Sequence, residues 1–271
     1  MQTGFYSNTG GMVTQFNRLD VISNNLANVN TAGFKRDDVV IGDFMRLYTE
    51  THDELPLRNH TRQAAQHLNR AMVRVPQIVE EYTDHDLGTL MQTGNPLDVA
   101  LQSANTFFVV ETPNGLRYTR DGSFRLDDQG FLVAKEGFRV LNSDGAPIAL
   151  PVDRKIAISP EGTIYAQNDQ NLLEQEELAT LQVVRFDNPK WLEKMGHNYF
   201  LNNPLNEDPF PAEGQFLVAQ GYLEKSNINP ISEMTALIET NRLVGMYQKV
   251  MDTHMNDINS DAINKLASIK A

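Results

Sequence analysis

From Met234 onward, the residues Met234, Leu237, Asn241, Val244, Gln248, Met251, Met255, Ile258, Ala262, Leu266 and Ile269 follow one another in steps that alternate between three and four almost throughout. That is the repeat of a coiled-coil seam, so this end of the chain must form a long helix striped down one side. Ser232, just after Asn229-Pro230, supplies an N-cap and is followed by Glu233. A run of about 39 residues at ~1.5 Å each would extend ~58 Å, and the adjacent sequence offers it no partner. Asn241 and Gln248 on the seam are costly in a dry interface unless paired, and polar seam residues of this kind fix register.

The opposite end carries a second stripe. Met12, Phe16, Leu19, Ile22, Leu26 and Val29 are separated by steps of 4, 3, 3, 4 and 3, which is helical spacing. Ser23, Asn24, Asn25, Asn28, Asn30 and Thr31 compete for backbone hydrogen bonds, so this helix is marginal on its own. The run Asn28 to Phe34 stops it, with Gly33 as a left-handed cap and Phe34 folding back onto the last turn.

Between the stripes the texture is β. Short runs of Val, Ile, Phe, Tyr and Leu from Phe107 to Phe186 are punctuated by Asn114-Gly115, Asp121-Gly122, Asp127 to Gly130, Ser143 to Gly145 and Pro160 to Gly162, and they read as a meander of hairpins. Residues 187–220, with Pro189, Pro204, Pro209 and Pro211, read as loop. Ala64, Ala65, Leu68, Ala71, Met72 and Val75 suggest a short helix, and the segment 49–75 as a whole reads as variable and exposed. The expected fold class is α+β: paired long N- and C-terminal helices, coiled-coil-like, plus an all-β central domain of short antiparallel strands. The expected domains are a helical one from residues 1–34 and 231–271, a connecting one from 35–90 and 215–230, and the β domain from 91–214.

Charge and composition exclude several function classes. The chain has 23 Lys and Arg against 35 Asp and Glu, a net charge of -12. All of the imbalance lies in residues 76–230, with 11 basic against 23 acidic side chains, while the two ends are close to neutral. Such a surface repels phosphate backbones and anionic membrane faces, so nucleic acid is not an expected partner. There is no cysteine, which removes disulfides, thiol nucleophiles and thiolate metal sites together. The N-terminus has neither the basic nor the apolar region of a cleavable secretory signal, and no run approaches the ~18 apolar residues of a membrane span.

Catalytic signatures are equally scarce. HExxH, GxSxG, the P-loop and the dinucleotide-binding glycine pattern are missing, and none of the six histidines pairs with another at helical metal-site spacing. Asp84-His85-Asp86 reads as a turn before Gly88 rather than a carboxylate-oriented imidazole. Asp127 to Gly130 and Asn168 to Asn171 read as turns, since neither fits an EF-hand loop. No catalytic residue, cofactor or metal is expected. The terminal stripes then have two readings: core elements of one globular fold, or surfaces that pair with each other and with copies from other chains. The charge split favours the second.

The residues Asp20 to Arg36, DVISNNLANVNTAGFKR, closely resemble the N-terminal signature of the bacterial flagellar axial family, the rod and hook proteins. Gly94 to Leu101, Phe107-Phe108, Tyr118 to Phe124 and Gly130 to Val133 resemble the central block of the rod proteins. Gly221 to Asn229, with Glu233-Met234 and Asn241-Arg242, resembles the family's C-terminal segment. The resemblance implies an axial subunit of the basal body that self-associates into a helical tube across the periplasm beside other rod and hook subunits. It also implies delivery by the flagellar type III export apparatus, without direct membrane insertion, and terminal helices that pair in the inner layer of the tube. Length favours a rod over a hook protein. Tyr118 to Phe124 suits the distal, G-type subunit, whereas Leu97 to Leu101 and Tyr247 to Met251 suit the proximal, F-type one.

Under this reading the assembly interface is Met12, Phe16, Leu19, Ile22 and Leu26 with Met234, Leu237, Asn241, Val244, Gln248, Met251, Met255, Ile258, Leu266 and Ile269. A helix-turn motif of Asn24, Asn25, Leu26, Ala27, Asn28, Thr31, Gly33 and Phe34 turns the chain from inner helix to outer domain. A competing class is a secreted β-rich module that recognises glycans or another surface; a metal-dependent enzyme is a distant third.

Overall fold

The computed structural model describes residues 2–43, 76–151, 154–168, 171–203, 206–207, 209–212 and 216–268. The short helix expected between Ala64 and Val75, the segment 49–75, and Ile269 lie outside the described residues, as does the centre of the Asn168 to Asn171 turn. Two α-helices stand at the ends of the described chain: α1, Gln2–Ala27, of 26 residues, and α2, Pro230–Ser268, of 39. The chain divides into two compact units. One gathers α1 up to Leu26, α2 and residues 37–82; the other holds residues 27–36 and 83–229.

In the first unit the helices pack through an unexpected face. The buried positions of α1 are Gly11, Thr14, Gln15, Ile22 and Asn25, and those of α2 are Glu233, Thr240 and Val244. This corrects the coiled-coil-like pairing of two apolar seams: the α+β class holds, but only part of each seam, Ile22 on α1 and Leu237, Val244 and Met251 on α2, lies on the packed face. On α2 the packed row runs through Glu233, Leu237, Thr240, Val244, Tyr247 and Met251, so every second seam position slips one residue toward the N-terminus. The helices are also unequal in length, and only two flank a β-rich block among the described residues. The physical reason lies in how the Tyr247 side chain seats on α1. A methyl group on Gly11 would lie 2.7 Å from the Tyr247 ring, so the small residue admits the large one. Thr9 donates its hydroxyl to the Met251 sulfur at 3.7 Å. Small and polar residues, not the bulkiest apolar ones, fit such an approach.

The ribbon Asp37–Asp43 with Pro76–Thr83 is tied to α1 by side chains. The Thr14 hydroxyl lies 2.9 Å from both the Pro76 carbonyl and the Gly10 carbonyl one turn back, its single proton shared between the two acceptors. Asn25, fully buried, donates to the Asp37 carbonyl at 2.7 Å and accepts from the Asp37 amide at 3.0 Å. Its carboxamide thus imitates a strand residue, pairing with both the amide and the carbonyl of Asp37.

The second unit is built on a large antiparallel sheet whose spatial order departs from the chain order. Its path runs Leu192–Lys194, Tyr199–Asn202, Gly115–Thr119, Thr106–Thr112, Arg139–Val140, Leu132–Val133, Arg125–Leu126, with Val183–Arg185 also joining Thr106–Thr112. It is therefore not the simple meander of the sequence reading. Residues 187–220, expected as loop, supply Leu192–Lys194, Tyr199–Asn202, Phe210–Pro211 and Val218–Gln220 as strands. The first five residues of Thr106–Thr112 are buried, with Phe108 and Val110 in one apolar cluster and Phe107 and Val109 in another. A strand covered on both faces explains why it reads as a continuous apolar run.

A two-residue hairpin turn forms after Thr106–Thr112, but its central residues are Pro113-Asn114 rather than the expected Asn114-Gly115: Thr112 pairs with Gly115, which opens the next strand at φ +101°. At Asp121-Gly122 the expected hairpin turn does not form. Gly122 instead lets the backbone run against Val99, whose carbonyl oxygen would lie 1.7 Å from an added methyl group. Asp127 closes the turn to Gly130 by accepting from the amides of Gln129 and Phe131 at 2.9 and 2.7 Å. Shorter pairs, Val99–Leu101 with Val218–Gln220 and Leu90–Gln92 with Tyr222–Glu224, bring late residues back beside early ones.

Candidate assembly surface

The apolar residues that α1 and α2 do not pack define an open surface in the first unit. On α2, Ile231, Met234 and Ile238 are 75%, 52% and 66% exposed. At 3.6 residues per turn their arc is centred roughly 130° from the packed row. Leu243, Met246 and Val250 form a second exposed group further along, and Val13 and Phe16 are exposed on α1. Of the expected interface, Ile22 and Val244 are buried, Met12, Leu19, Leu26, Leu237 and Met251 are half-buried, and Phe16, Met234, Asn241, Gln248 and Met255 are exposed. The side chains of Ile258 and Leu266 fall outside the described residues, with Ile269. The exposed polar pair Asn241 and Gln248 costs nothing in the lone chain, because neither lies in a dry contact.

The motif that follows α1 is organised by the second unit. Asn24 and Ala27 are exposed, Leu26, Asn28 and Thr31 half-buried, and Gly33 and Phe34 buried. Thr31 donates its amide to the Asn28 carbonyl at 3.1 Å and its hydroxyl to the Asn28 side chain at 3.1 Å, forming the turn. Gly33 takes the left-handed conformation, φ +68°, and donates to the Glu224 carbonyl at 2.8 Å. Phe34 is buried in the second unit. It lies under the Lys194 ammonium, 4.1 Å from the ring centroid, while that ammonium donates to the Lys35 carbonyl at 2.5 Å.

Beneath this turn sits a charge cluster that sequence reasoning did not single out. Glu224, inaccessible to solvent, accepts from Lys35 at 2.6 Å through one carboxylate oxygen and from Arg120 at 2.8 Å through the other. Arg120 spends its remaining donors on the carbonyls of Leu101, Ser103 and Thr106. Burial pushes both the Lys35 and Arg120 pKa values down, and the Glu224 carboxylate opposes that shift in each. The arrangement joins residues 27–36, the sheet and residues 222–227. No local signal marks the cluster, since Lys35 is followed by Arg36 and Glu224 by Lys225 as surface charges often are, and the partners lie 104 and 189 positions apart.

Among the described residues no group of three His, Asp or Glu side chains is placed to hold a metal ion, and no helix is long and apolar enough to cross a membrane. In the Asp84-His85-Asp86 run the Asp86 amide donates to the Asp84 carboxylate at 3.0 Å, and His85 is buried against Phe107 and Phe200.

Comparison with known proteins decides the family. Residues 5–35 match the family described as flagella basal body rod protein, 103–166 the flagellar hook protein FlgE/F/G D1 domain, and 219–264 the flagellar basal body rod FlgEFG protein C-terminal family. The chain is 31% identical over 250 residues to the flagellar basal-body rod protein FlgG of Agrobacterium fabrum, covering 90% of this chain and 92% of that one. This chain belongs to the flagellar basal-body rod proteins, of F or G type. The FlgG protein of Borreliella burgdorferi is 30% identical over 263 residues, 94% of this chain and 96% of its own. The FlgF protein of Caulobacter vibrioides is 28% identical over 271 residues, 99% and 100%. The protein is a structural subunit of the rod, located in the flagellar basal body, and it assembles there with other rod and hook subunits. A glycan- or surface-binding module finds no support among these relatives. The matched segments coincide with α1 and its turn, part of the sheet, and the junction with the first part of α2, so the family signature follows the parts described above.

Proposed function

We propose that this rod subunit polymerises into a helical tube that transmits torque from motor to hook, its two helices forming the inner layer and residues 91–214 the outer one. The observation that carries this reading is the exposed arc Ile231, Met234 and Ile238, which lies away from the face that α2 already packs. Burying one such side chain stabilises by roughly 1.5 to 3 kcal/mol, so a few between subunits outweigh the cost of ordering a marginal helix. Contacts between different patches on successive copies do not close, and they generate an open helix rather than a ring. Many close-packed interfaces make such a tube stiff, and no chemistry is required of it. Residues 76–230, with their acidic excess, face water. The same reading includes passage through the flagellar type III export apparatus without a cleavable signal.

The test is a double variant, Met234→Asp with Ile238→Asp, in the full-length protein. The expected result is a folded monomer with unchanged near-ultraviolet circular dichroism that no longer enters polymer on sedimentation and leaves cells without a complete rod. Normal polymer from this variant would overturn the reading.

A further inference from the structure

His85 is placed where an imidazole has few reasons to be. Its ring lies 5.8 Å from the Phe107 centroid and 5.4 Å from that of Phe200, and neither ring nitrogen has a hydrogen-bond partner among the described residues. Its own segment is stitched to both neighbouring leads. The Asp84 amide donates to the Arg36 carbonyl at 2.8 Å, and Lys35 donates to the Asp86 carbonyl at 2.6 Å. The Gly88 amide donates to the Glu224 carboxylate at 2.9 Å, and the Asn227 carboxamide donates to the Asp84 carbonyl at 2.9 Å.

The charges around the ring are unbalanced. Lys35 from the lead after α1, Arg120 from the sheet and Lys194 from its edge strand face it as cations; Asp84 acts on it as an anion from its own segment. Glu224 is already shared between Lys35 and Arg120, and Asp86 contributes its backbone carbonyl to Lys35. A neutral imidazole leaves one acceptor and one donor unsatisfied. An imidazolium would add a fourth cation and a second unsatisfied donor in the same dry space.

We infer that His85 is an acid-sensitive latch, whose protonation drives the ring out of the Phe107–Phe200 nest and releases residues 84–88 from residues 35–36 and 224–227. Burial first, and then the three cations, hold the imidazole pKa down at about 4, against an ordinary 6.5. The sign follows from proton counting. The latched state binds fewer protons than the opened one, so latching is complete above pH 6.5 and weakens as pH falls toward 4. Both leads loosen together, because the same four hydrogen bonds hold them. The inference stands on the second unit alone and does not require the assembly reading.

The test uses the full-length protein in two measurements. Nuclear magnetic resonance titration of the imidazole is expected to place His85 well below the other histidines; titration near 6.5 would overturn the latch. Amide-exchange protection of residues 84–88, 35–37 and 224–227 is expected to fall about tenfold per pH unit between pH 6 and 4.5, one proton being linked to opening. In His85→Phe, which fills the nest without a titrating group, protection over that range is expected to stay level. Equal acid sensitivity in this variant, or level protection in the unaltered protein, would refute the proposal. The imidazole titration decides the matter should the variant fail to fold.

Discussion

The backbone at Gly33 runs so close to Asp121 that a methyl group on Gly33 would lie 2.4 Å from the Asp121 amide nitrogen and 2.6 Å from the Arg120 carbonyl carbon. Both neighbours are backbone atoms, so no side chain can swing aside. With φ at +68° the position also carries the left-handed cost of any non-glycine residue. Gly33→Ala is expected to destabilise the β unit by about 3 kcal/mol or more, measured as a shift in the urea midpoint. A loss under about 1 kcal/mol would show that the junction adjusts.

The buried Glu224 cluster makes a prediction whose sign depends on what is removed. Glu224→Gln leaves Lys35 and Arg120 buried without their counter-charge, and is expected to cost about 3 to 5 kcal/mol. Replacing all three with apolar residues of similar volume removes the desolvation cost along with the attraction, and is expected to be far milder than the single change. Chemical denaturation of both variants decides this, and a triple variant worse than Glu224→Gln would contradict it.

Gly11 and Tyr247 offer a test of the helix packing. Alanine favours a helix by about 1 kcal/mol over glycine, yet at Gly11 its methyl group would meet the Tyr247 ring at 2.7 Å. Gly11→Ala alone is therefore expected to destabilise the helical unit, and the same change in a Tyr247→Ala background to stabilise it. Thermal unfolding followed at a helix-sensitive wavelength reads the reversal. The same sign in both backgrounds would mean that the two residues do not meet.

Much of the local structure was legible in the residues. The positions of α1 and α2 followed from spacing, the hairpin near Asn114 from turn chemistry, and the left-handed Gly33 from its place after an Asn-rich stop. The helix faces were not legible, because hydrophobicity ranks Met234 above Glu233 and Phe16 above Gln15, while packing selected by size and close approach. Asp121-Gly122 misled for a related reason: the glycine serves a contact with Val99, a neighbour that its own dipeptide does not reveal.

The chain's order of residues by itself determined where the two terminal helices and the turns near Asn114 and Asp127 lie, since those choices depend on neighbours within a few positions. Only the tertiary structure decided which face of each helix is used, that Asn25 pairs with Asp37, and that Lys35, Arg120 and Glu224 meet beside a buried His85. Those outcomes depend on distances between residues remote in the chain, which periodicity along it does not encode.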